Sequence, residues 1–242
     1  MRNRPILLLS ILNPGRAKWK WFVTFLLAVV LFYGTSYIYG EMNKLPPEEA
    51  VKQSLVKTFQ VENYRFQVIA KRSQEGKDVL ISDIHGEKSA EGIHLQGSIP
   101  LIKADVDLYY LGETIYRKDA STKNWVMIPA GGRVGVEQLI AELNPLGVLN
   151  FPEGNFVVQE AGTERLGGKS CRVYEVMTKG ESKYLGLFWQ DFDYILWVDK
   201  KEGLIRQARI TAEHREKAGQ TLSVDLLLTD YHLPIELKAP VE

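Results

Sequence analysis

The pattern of apolar and polar residues changes twice along this chain of 242 residues. The first distinct segment, residues 21–40, is uncharged, apolar on all sides and bounded by Lys20 and Glu41. A helix of this length rises about 30 Å, the thickness of the hydrocarbon core of a bilayer. We therefore expect a transmembrane anchor here. The alternatives are a cleaved signal peptide, which the tyrosines at the exit disfavour, and a buried core helix.

The charges around this segment predict its orientation. Residues 1–20 contain five basic residues and no acidic residue, and Glu41 follows the segment. By the positive-inside rule, residues 1–20 form a cytoplasmic tail. We expect a single-pass protein of the cell membrane, with an extracytoplasmic domain over residues 43–242.

The domain opens with a predicted helix. Val51, Leu55 and Phe59 recur every four residues and form one apolar stripe. Acidic residues follow Pro46–Pro47, as they do in the first turn of many helices. We expect this helix to end at about Gln60.

From there the period changes to two, so that apolar and polar residues alternate. Turns that contain glycine recur about every ten residues, which predicts a meander of hairpins. The predicted strands include residues 64–70, 93–101, 106–110, 155–163, 170–178, 194–199, 204–213, 221–230 and 235–238.

Two later segments have helical spacing. Val134–Leu143 places four apolar residues on one face, and Asn144–Pro145 ends the run. Around Glu181–Trp189 the pattern is weaker and fits a short helix or a bent loop.

These elements define the expected fold class, which is α+β and mainly antiparallel β. About ten or eleven strands exceed what a flat sheet holds, so the sheet must curl or close. Only one face alternates apolar, and the helices are the natural cover for that face. We expect one domain, a curved and unclosed half-barrel wrapped around a few helices.

Composition and motifs exclude several functions. The 30 basic and 30 acidic residues are interspersed, so no basic face for nucleic acid is expected. The four histidines lack metal-ligand spacing, and the only cysteine, Cys171, excludes an intrachain disulfide. The carboxylate pairs Asp105/Asp107 and Asp191/Asp193 fit ordinary solvated strands. We expect no metal, no cofactor, no catalytic residue and no enzymatic activity.

Apolar and aromatic residues remain as candidates for a site. An unclosed barrel often keeps an apolar cavity at its mouth. The same residues would also serve as solid core, and the sequence leaves that choice open. The residues expected to line the cavity are Trp125, Met127, Leu139, Ile140, Leu143, Phe151, Trp189 and Trp197.

Several short phrases occur in an order that resembles the LolA/LolB-like superfamily of lipoprotein carriers, including the mycobacterial lipid-carrier lipoproteins. They are the strand 64–70, Y-Y-L-G-E-T-I-Y at 109–116, and G-G-K-S-C-R-V-Y at 167–174. The hairpin that runs from Y-I-L-W-V-D at 194–199 to G-L-I-R at 203–206 is similar to the W-h-D…G-L-h-x-R hairpin of that superfamily. The resemblance extends over nearly the whole domain.

The resemblance implies a half-barrel that binds acyl chains in its concavity, a carrier or sensor rather than an enzyme. This chain departs from many members because no lipid-modified cysteine follows its apolar segment; the tether is a protein helix. A tethered carrier fold favours a stationary acceptor or lipid-handling module for acyl chains of lipids or lipoproteins. The alternative is an envelope sensor or interaction protein that docks another membrane or regulatory protein through the half-barrel.

Overall fold

The computed structural model describes residues 45–129, 145–149, 156–178 and 187–240. The chain divides into two units, Met1–Pro46 and Pro47–Glu242, and the fold below is that of the second. The expected tail and anchor, the predicted helix Val134–Leu143 and most of Glu181–Trp189 lie outside the described residues. Within the described ranges, no helix is both long and apolar enough to cross a membrane.

In the described part of the chain, one α-helix precedes eleven strands, in agreement with the predicted count. The helix α1 spans Pro47–Phe59, and short 3₁₀ turns lie at Pro100–Ile102 and Pro145–Leu149. The strands are β1 (Tyr64–Gln74), β2 (Lys77–Ser89), β3 (Gly92–Ile99), β4 (Ala104–Leu111), β5 (Thr114–Lys118), β6 (Trp125–Pro129), β7 (Phe156–Leu166), β8 (Lys169–Thr178), β9 (Trp189–Asp199), β10 (Ile205–His214) and β11 (Gln220–Thr229).

One predicted strand is wrong. Residues 235–238 follow β11 without ladder pairing to any described strand. Ile235 and Leu237 are buried, whereas Glu236 and Lys238 are exposed. The alternation therefore reflects an extended segment that packs every second side chain inward, with no neighbouring strand.

The sheet is an antiparallel meander in two halves. Its strand order is β6-β5-β4-β3-β2-β1-β11-β10-β9-β8-β7. The first and last strands pair in the middle, with Phe66 opposite Leu228. The edges β6 and β7 are not paired with each other in the described residues. The expected unclosed, mainly antiparallel sheet is confirmed.

Helix α1 packs against the core face of this sheet, close to β7 and β10. Val51 is buried as predicted and Leu55 is half-buried, but Phe59 is 46% exposed. Ser54 and Thr58 are buried instead. The helix is thus rotated from the orientation that its apolar stripe predicts.

Hydrogen bonds explain why two hydroxyls can face the core. The Ser54 hydroxyl donates to the Ala50 carbonyl at 2.7 Å, and the Thr58 hydroxyl donates to the Ser54 carbonyl at 2.7 Å. The Thr58 oxygen also accepts the backbone N–H of Ile205 at 3.0 Å. A buried polar group costs little when it is bonded, so Thr58 ties the helix to the start of β10 without a penalty.

Two glycines let β2 and β3 approach closely. A Cβ on Gly86 would lie 2.7 Å from the Phe66 ring and would overlap the His94 carbonyl oxygen. A Cβ on Gly97 would overlap the Asp83 carbonyl oxygen, and Gly97 also has φ +153°, a conformation that side chains rarely adopt. Both positions therefore require glycine.

We expect Gly97→Ala to lower the free energy of unfolding by about 2–4 kcal/mol, because it adds backbone strain to a steric overlap. The matched control is Gly112→Ala, at φ +56° with open space around its Cβ, which should cost about 1 kcal/mol. Urea unfolding of the full-length chain measures both. Equal losses would show that the close approach at Gly97 does not exist.

Candidate functional site

Adjacent strands place apolar side chains in a row across the core face. Leu226 of β11 lies opposite Val68, and Val68 lies opposite Ile84. Ile84 pairs with Gly97, which pairs with Val106. Directly paired residues share a face of the sheet, so the row crosses five strands. Gly97 interrupts it with a position that has no side chain.

Burial falls along this row. Leu226 is 0% exposed, as is Leu196 in the same half of the sheet. Val68, Ile84 and Val106 pack against the same core but are only partly buried. Helix α1 contacts β7 and β10, on the other side of β11. Phe66, Leu95 and Leu108 on the core face of β1–β4 are buried, and water reaches this face at Val68, Ile84 and Val106.

We call Val68, Ile84, Gly97 and Val106 the apolar trough. Further apolar residues that are partly buried against the same core extend it along and across the sheet, namely Ala70, Ile81, Tyr110 and Ile128. An apolar surface that is only partly covered is the usual lining of a site for an apolar ligand.

The structure separates the tryptophans that were predicted to share a cavity. Trp189 is partly buried against the main core. Trp197 packs instead in a second cluster with Cys171 and Val173, and its indole N–H donates to Glu164 at 2.8 Å. Its neighbours along the strand face the main core, so Trp197 lies on the opposite face. The structure thus places Trp197 apart from Trp189.

Trp125 and Met127 also lie on the opposite face. They alternate along β6 with Ile128, which packs against the main core. Met127 is 60% exposed. The structure thus places these two residues apart from Trp189 as well. The remaining candidates, Leu139, Ile140, Leu143 and Phe151, lie outside the described residues.

Trp125 belongs to a polar and aromatic cluster on this outer face. The His94 and Tyr109 rings stack with centroids 3.7 Å apart, and Tyr109 meets Trp125 edge-on at 5.6 Å. The Lys118 ammonium lies 5.5 Å from the Trp125 ring centroid. Asp107 accepts from His94 at 3.1 Å and pairs with Lys118 at 3.6 Å. These groups satisfy one another and support the sheet from outside.

A polar cavity of about 390 Å³ adjoins the cluster. Three carboxylates and two ammonium groups contribute to its lining, which does not suit an acyl chain. Its polar lining residues are Gln96, Asp105, Asp107, Lys118, Asp119 and Lys123. Among the residues that the structure describes, no three His, Cys, Asp or Glu side chains are placed so that they could hold one metal ion.

The hairpin between β9 and β10 carries a buried carboxylate. The Asp199 side chain is 2% exposed, and its Oδ1 accepts the backbone N–H groups of Lys201 at 2.8 Å and Glu202 at 3.1 Å. Its Oδ2 accepts from Arg206 at 3.2 Å. Burial alone would raise the pKa of Asp199, but these donors outweigh it and lower the pKa.

Arg206 also links the hairpin to the segment that follows β11. Arg206 binds Glu202 at 2.6 Å, and Glu202 also accepts from Lys169 at 2.8 Å. The Arg206 guanidinium lies 4.8 Å from the Tyr231 ring centroid, and the Tyr231 hydroxyl donates to the Ile205 carbonyl. Burial raises the pKa of Tyr231, so it remains a neutral donor. The hairpin is therefore held in one conformation.

The predicted strands contain Val68, Gly97 and Val106 of the trough but not Ile84, and none of the four was assigned to the site. Val68 and Val106 were recognised only as alternating apolar positions. The available signal was Gly97, a glycine inside an otherwise regular alternation, which indicates close approach of backbone or ligand.

The fold resembles solved structures of mycobacterial proteins. The lipoprotein LppX of Mycobacterium tuberculosis matches with a TM-score of 0.50 at 15% identity, over 78% of this chain and 97% of that chain. LprF of Mycobacterium bovis matches with a TM-score of 0.54 at 12% identity, over 80% and 96%. No protein-family model matches the sequence, and no curated protein is significantly similar. Identities this low show the fold alone, and the described domain shares that fold with LppX and LprF.

We expect Asp199→Asn to lower the free energy of unfolding at pH 7 by about 2 kcal/mol, because charge-assisted bonds are lost. Since the folded pKa lies below the unfolded value, the ionised carboxylate stabilises the fold above about pH 4, and this contribution is lost as the pH falls further. The variant should therefore lose less stability than the parent between about pH 5 and 3.

The control is Asp78→Asn, an exposed aspartate at the start of β2, which should leave stability and its pH dependence unchanged. Urea unfolding across this pH range provides the measurement. A parallel pH dependence in Asp199→Asn and the parent would contradict the assigned role of the carboxylate.

Proposed function

We propose that this domain binds the acyl chains of a lipid or lipoprotein on the apolar trough. The observation that carries the proposal is the uneven burial of one apolar face: complete at Leu226, partial at Val68, Ile84 and Val106. A partly exposed apolar surface beside a packed core offers a hydrocarbon chain the contacts that it lacks in water.

Apolar contact contributes a favourable free energy to the proposed binding. Each methylene removed from water contributes about 0.8 kcal/mol, so eight methylenes contribute about 6 kcal/mol before the cost of association. The rigid half of the sheet is already formed and does not have to be ordered by the ligand. The LppX-like fold, and the sequence resemblance to lipoprotein carriers, support a binding role of this class.

We also propose that the domain is held at the cell membrane. Residues 21–40 hold the domain to the cell membrane, with residues 1–20 in the cytoplasm and the domain outside. A tethered binding domain acts as a stationary acceptor or lipid-handling module, without catalysis. This part rests on the length of the apolar segment and on the charge asymmetry around it.

A larger side chain in the trough should weaken binding of an acyl chain. We expect Ile84→Trp to weaken binding of a pyrene-labelled hexadecanoic acid about tenfold, because losing contact with two methylenes costs about 1.6 kcal/mol. The control is Leu227→Trp, which adds the same ring on the outer face of β11, where Leu227 is 39% exposed. Binding to the immobilised full-length chain is measured by retained fluorescence.

Equal binding by the two variants would place the ligand elsewhere. Failure of the folded parent chain to bind the probe, together with no lipid in extracts of the purified chain, would refute the proposed function. That result would favour the alternative, an interaction protein that docks an envelope partner.

The topology is testable with introduced cysteines, because the native Cys171 is 0% exposed and burial raises the pKa of its thiol. We expect a membrane-impermeant maleimide to label Ser121→Cys, at an exposed turn, in intact cells. Lys18→Cys should react only after permeabilisation. The reverse pattern would contradict the proposed orientation, and the parent chain reports background labelling.

A further inference from the structure

The two ends of the sheet differ in the apolar surface that they expose. One end is formed by the turns that join β1 to β2, β3 to β4, β5 to β6 and β10 to β11, together with the first residues of β7 and β9, and we call it the apolar end. The three most exposed large hydrophobic side chains that the structure describes all lie there, namely Leu187 at 73%, Ile102 at 67% and Phe188 at 62%. Their position at one end, rather than their number, indicates a surface that they contact.

Hydrogen-bonded turns fix two of these side chains in place, each beside a basic residue. Ile102 ends a 3₁₀ turn that is closed by the Lys103 N–H, which donates to the Pro100 carbonyl at 3.1 Å. Phe188 lies just before β9, and its carbonyl accepts the N–H of Arg215 at 2.9 Å. An apolar side chain beside a basic residue suits the boundary of a bilayer, where the one meets acyl chains and the other meets phosphate.

The chain enters the domain on the side of the apolar end. The Lys52 ammonium lies 5.6 Å from the ring centroid of Phe156, the first residue of β7, whereas Thr58 is bonded to the start of β10 at the opposite end. Helix α1 therefore begins on the side of the apolar end. Residues 41–46 separate it from the expected anchor, and six extended residues reach about 20 Å at most. A membrane span over residues 21–40 would thus keep the start of α1 close to the bilayer.

The apolar trough lies on the part of the core face that is nearer to the apolar end. Strand β4 starts at this end, and its partly buried Val106 precedes the buried Leu108. Strand β1 finishes at this end, and its partly buried Val68 follows the buried Phe66. The core face is therefore packed toward the opposite end and accessible toward the apolar end. An acyl chain that arrives from the apolar end reaches the trough without crossing packed core.

We propose that the apolar end docks on the lipid bilayer, with Ile102, Leu187 and Phe188 at the boundary between headgroups and acyl chains. This inference rests on the proposed membrane anchor and deepens the proposed acyl-chain binding, because it turns the accessible side of the trough toward the bilayer. The strands then stand away from the membrane, and the outer face of the sheet does not lie on it. A lipid chain passes from the bilayer to the trough along apolar surface.

The test uses the full-length chain in phosphatidylcholine vesicles, with a nitrobenzoxadiazole label on one introduced cysteine, since the native Cys171 is buried. The vesicles contain a phospholipid that carries a spin label near its headgroup and quenches the fluorophore on contact. We expect Ile102→Cys and Phe188→Cys to lose about half of their fluorescence, as a group about 5–10 Å into the headgroup boundary should. The matched control is Leu233→Cys, which is 49% exposed at the opposite end and should lose none.

Two double variants separate docking of the apolar end from docking of the outer face. In a chain labelled at Leu187→Cys, replacing Ile102 and Phe188 by aspartate should remove the quenching, because a carboxylate is costly to bury among acyl chains. The control replaces Met127 and Leu227, exposed apolar residues of the outer face, by aspartate and should be quenched like the parent. All four side chains are exposed, so the fold should be kept, and thermal unfolding of each variant checks this.

The outcomes distinguish docking from the proposed function. Quenching at positions 102 and 188 but not at 233 supports docking of the apolar end. Equal quenching at the three positions, or none, overturns it and leaves acyl-chain binding, which the pyrene probe measures, standing. Loss of quenching in the outer-face control would show that the sheet lies flat on the bilayer and would also overturn it. Extraction of the chain from the vesicles at alkaline pH would refute the anchor and with it this inference, without bearing on acyl-chain binding.

Discussion

The pairing of β1 with β11 is the constraint on which the domain depends. Ten residue pairs, from Arg65–Thr229 to Gln74–Gln220, join the two ends of the domain's sequence in the middle of the sheet. All other ladders connect consecutive strands, which form as local hairpins. Without this one long-range pair the chain would form two separate meanders, each with an exposed apolar face. Closing so long a loop is slow but costs only logarithmically more as the loop lengthens.

That pair also brings together two halves with different properties. The half from β8 to β11 is dry and is joined to α1 through Thr58 and to the end of the chain through Tyr231. On β1, β3 and β4, Phe66, Leu95 and Leu108 belong to the same buried core, whereas Val68 and Val106 beside them are partly exposed. The core thus extends across both halves, and the accessible apolar surface is confined to part of β1–β4. A uniformly packed sheet would leave no place for a hydrocarbon chain, and a uniformly open one would not hold its shape.

The first helix and most strands were predictable because alternation and helical spacing are local properties of a sequence, whereas β2, β5 and β6 were not among the predicted strands. The faces were harder to predict. In β9, which contains Trp197, both the even-numbered and the odd-numbered positions include apolar residues. The reason is that a second small apolar cluster, with Cys171, lies on the outer face of the sheet. Trp125 also lies on the outer face, where it is opposite Lys118 and packs against Tyr109. When both faces of a strand carry aromatic rings, residue type alone does not show which of the two alternating sets of side chains faces the core.

The unpaired edges β6 and β7 have a mechanical consequence. In the described residues every ladder bond lies within a hairpin or in the β1–β11 pair, and none joins the two edges. Among the described strands, a change in the gap between the edges therefore breaks no ladder hydrogen bond. A closed barrel resists such a change, because its girth is set by strand number and stagger. An open sheet of this kind can widen or narrow elastically, so the proposed acyl-chain site tolerates ligands of different thickness.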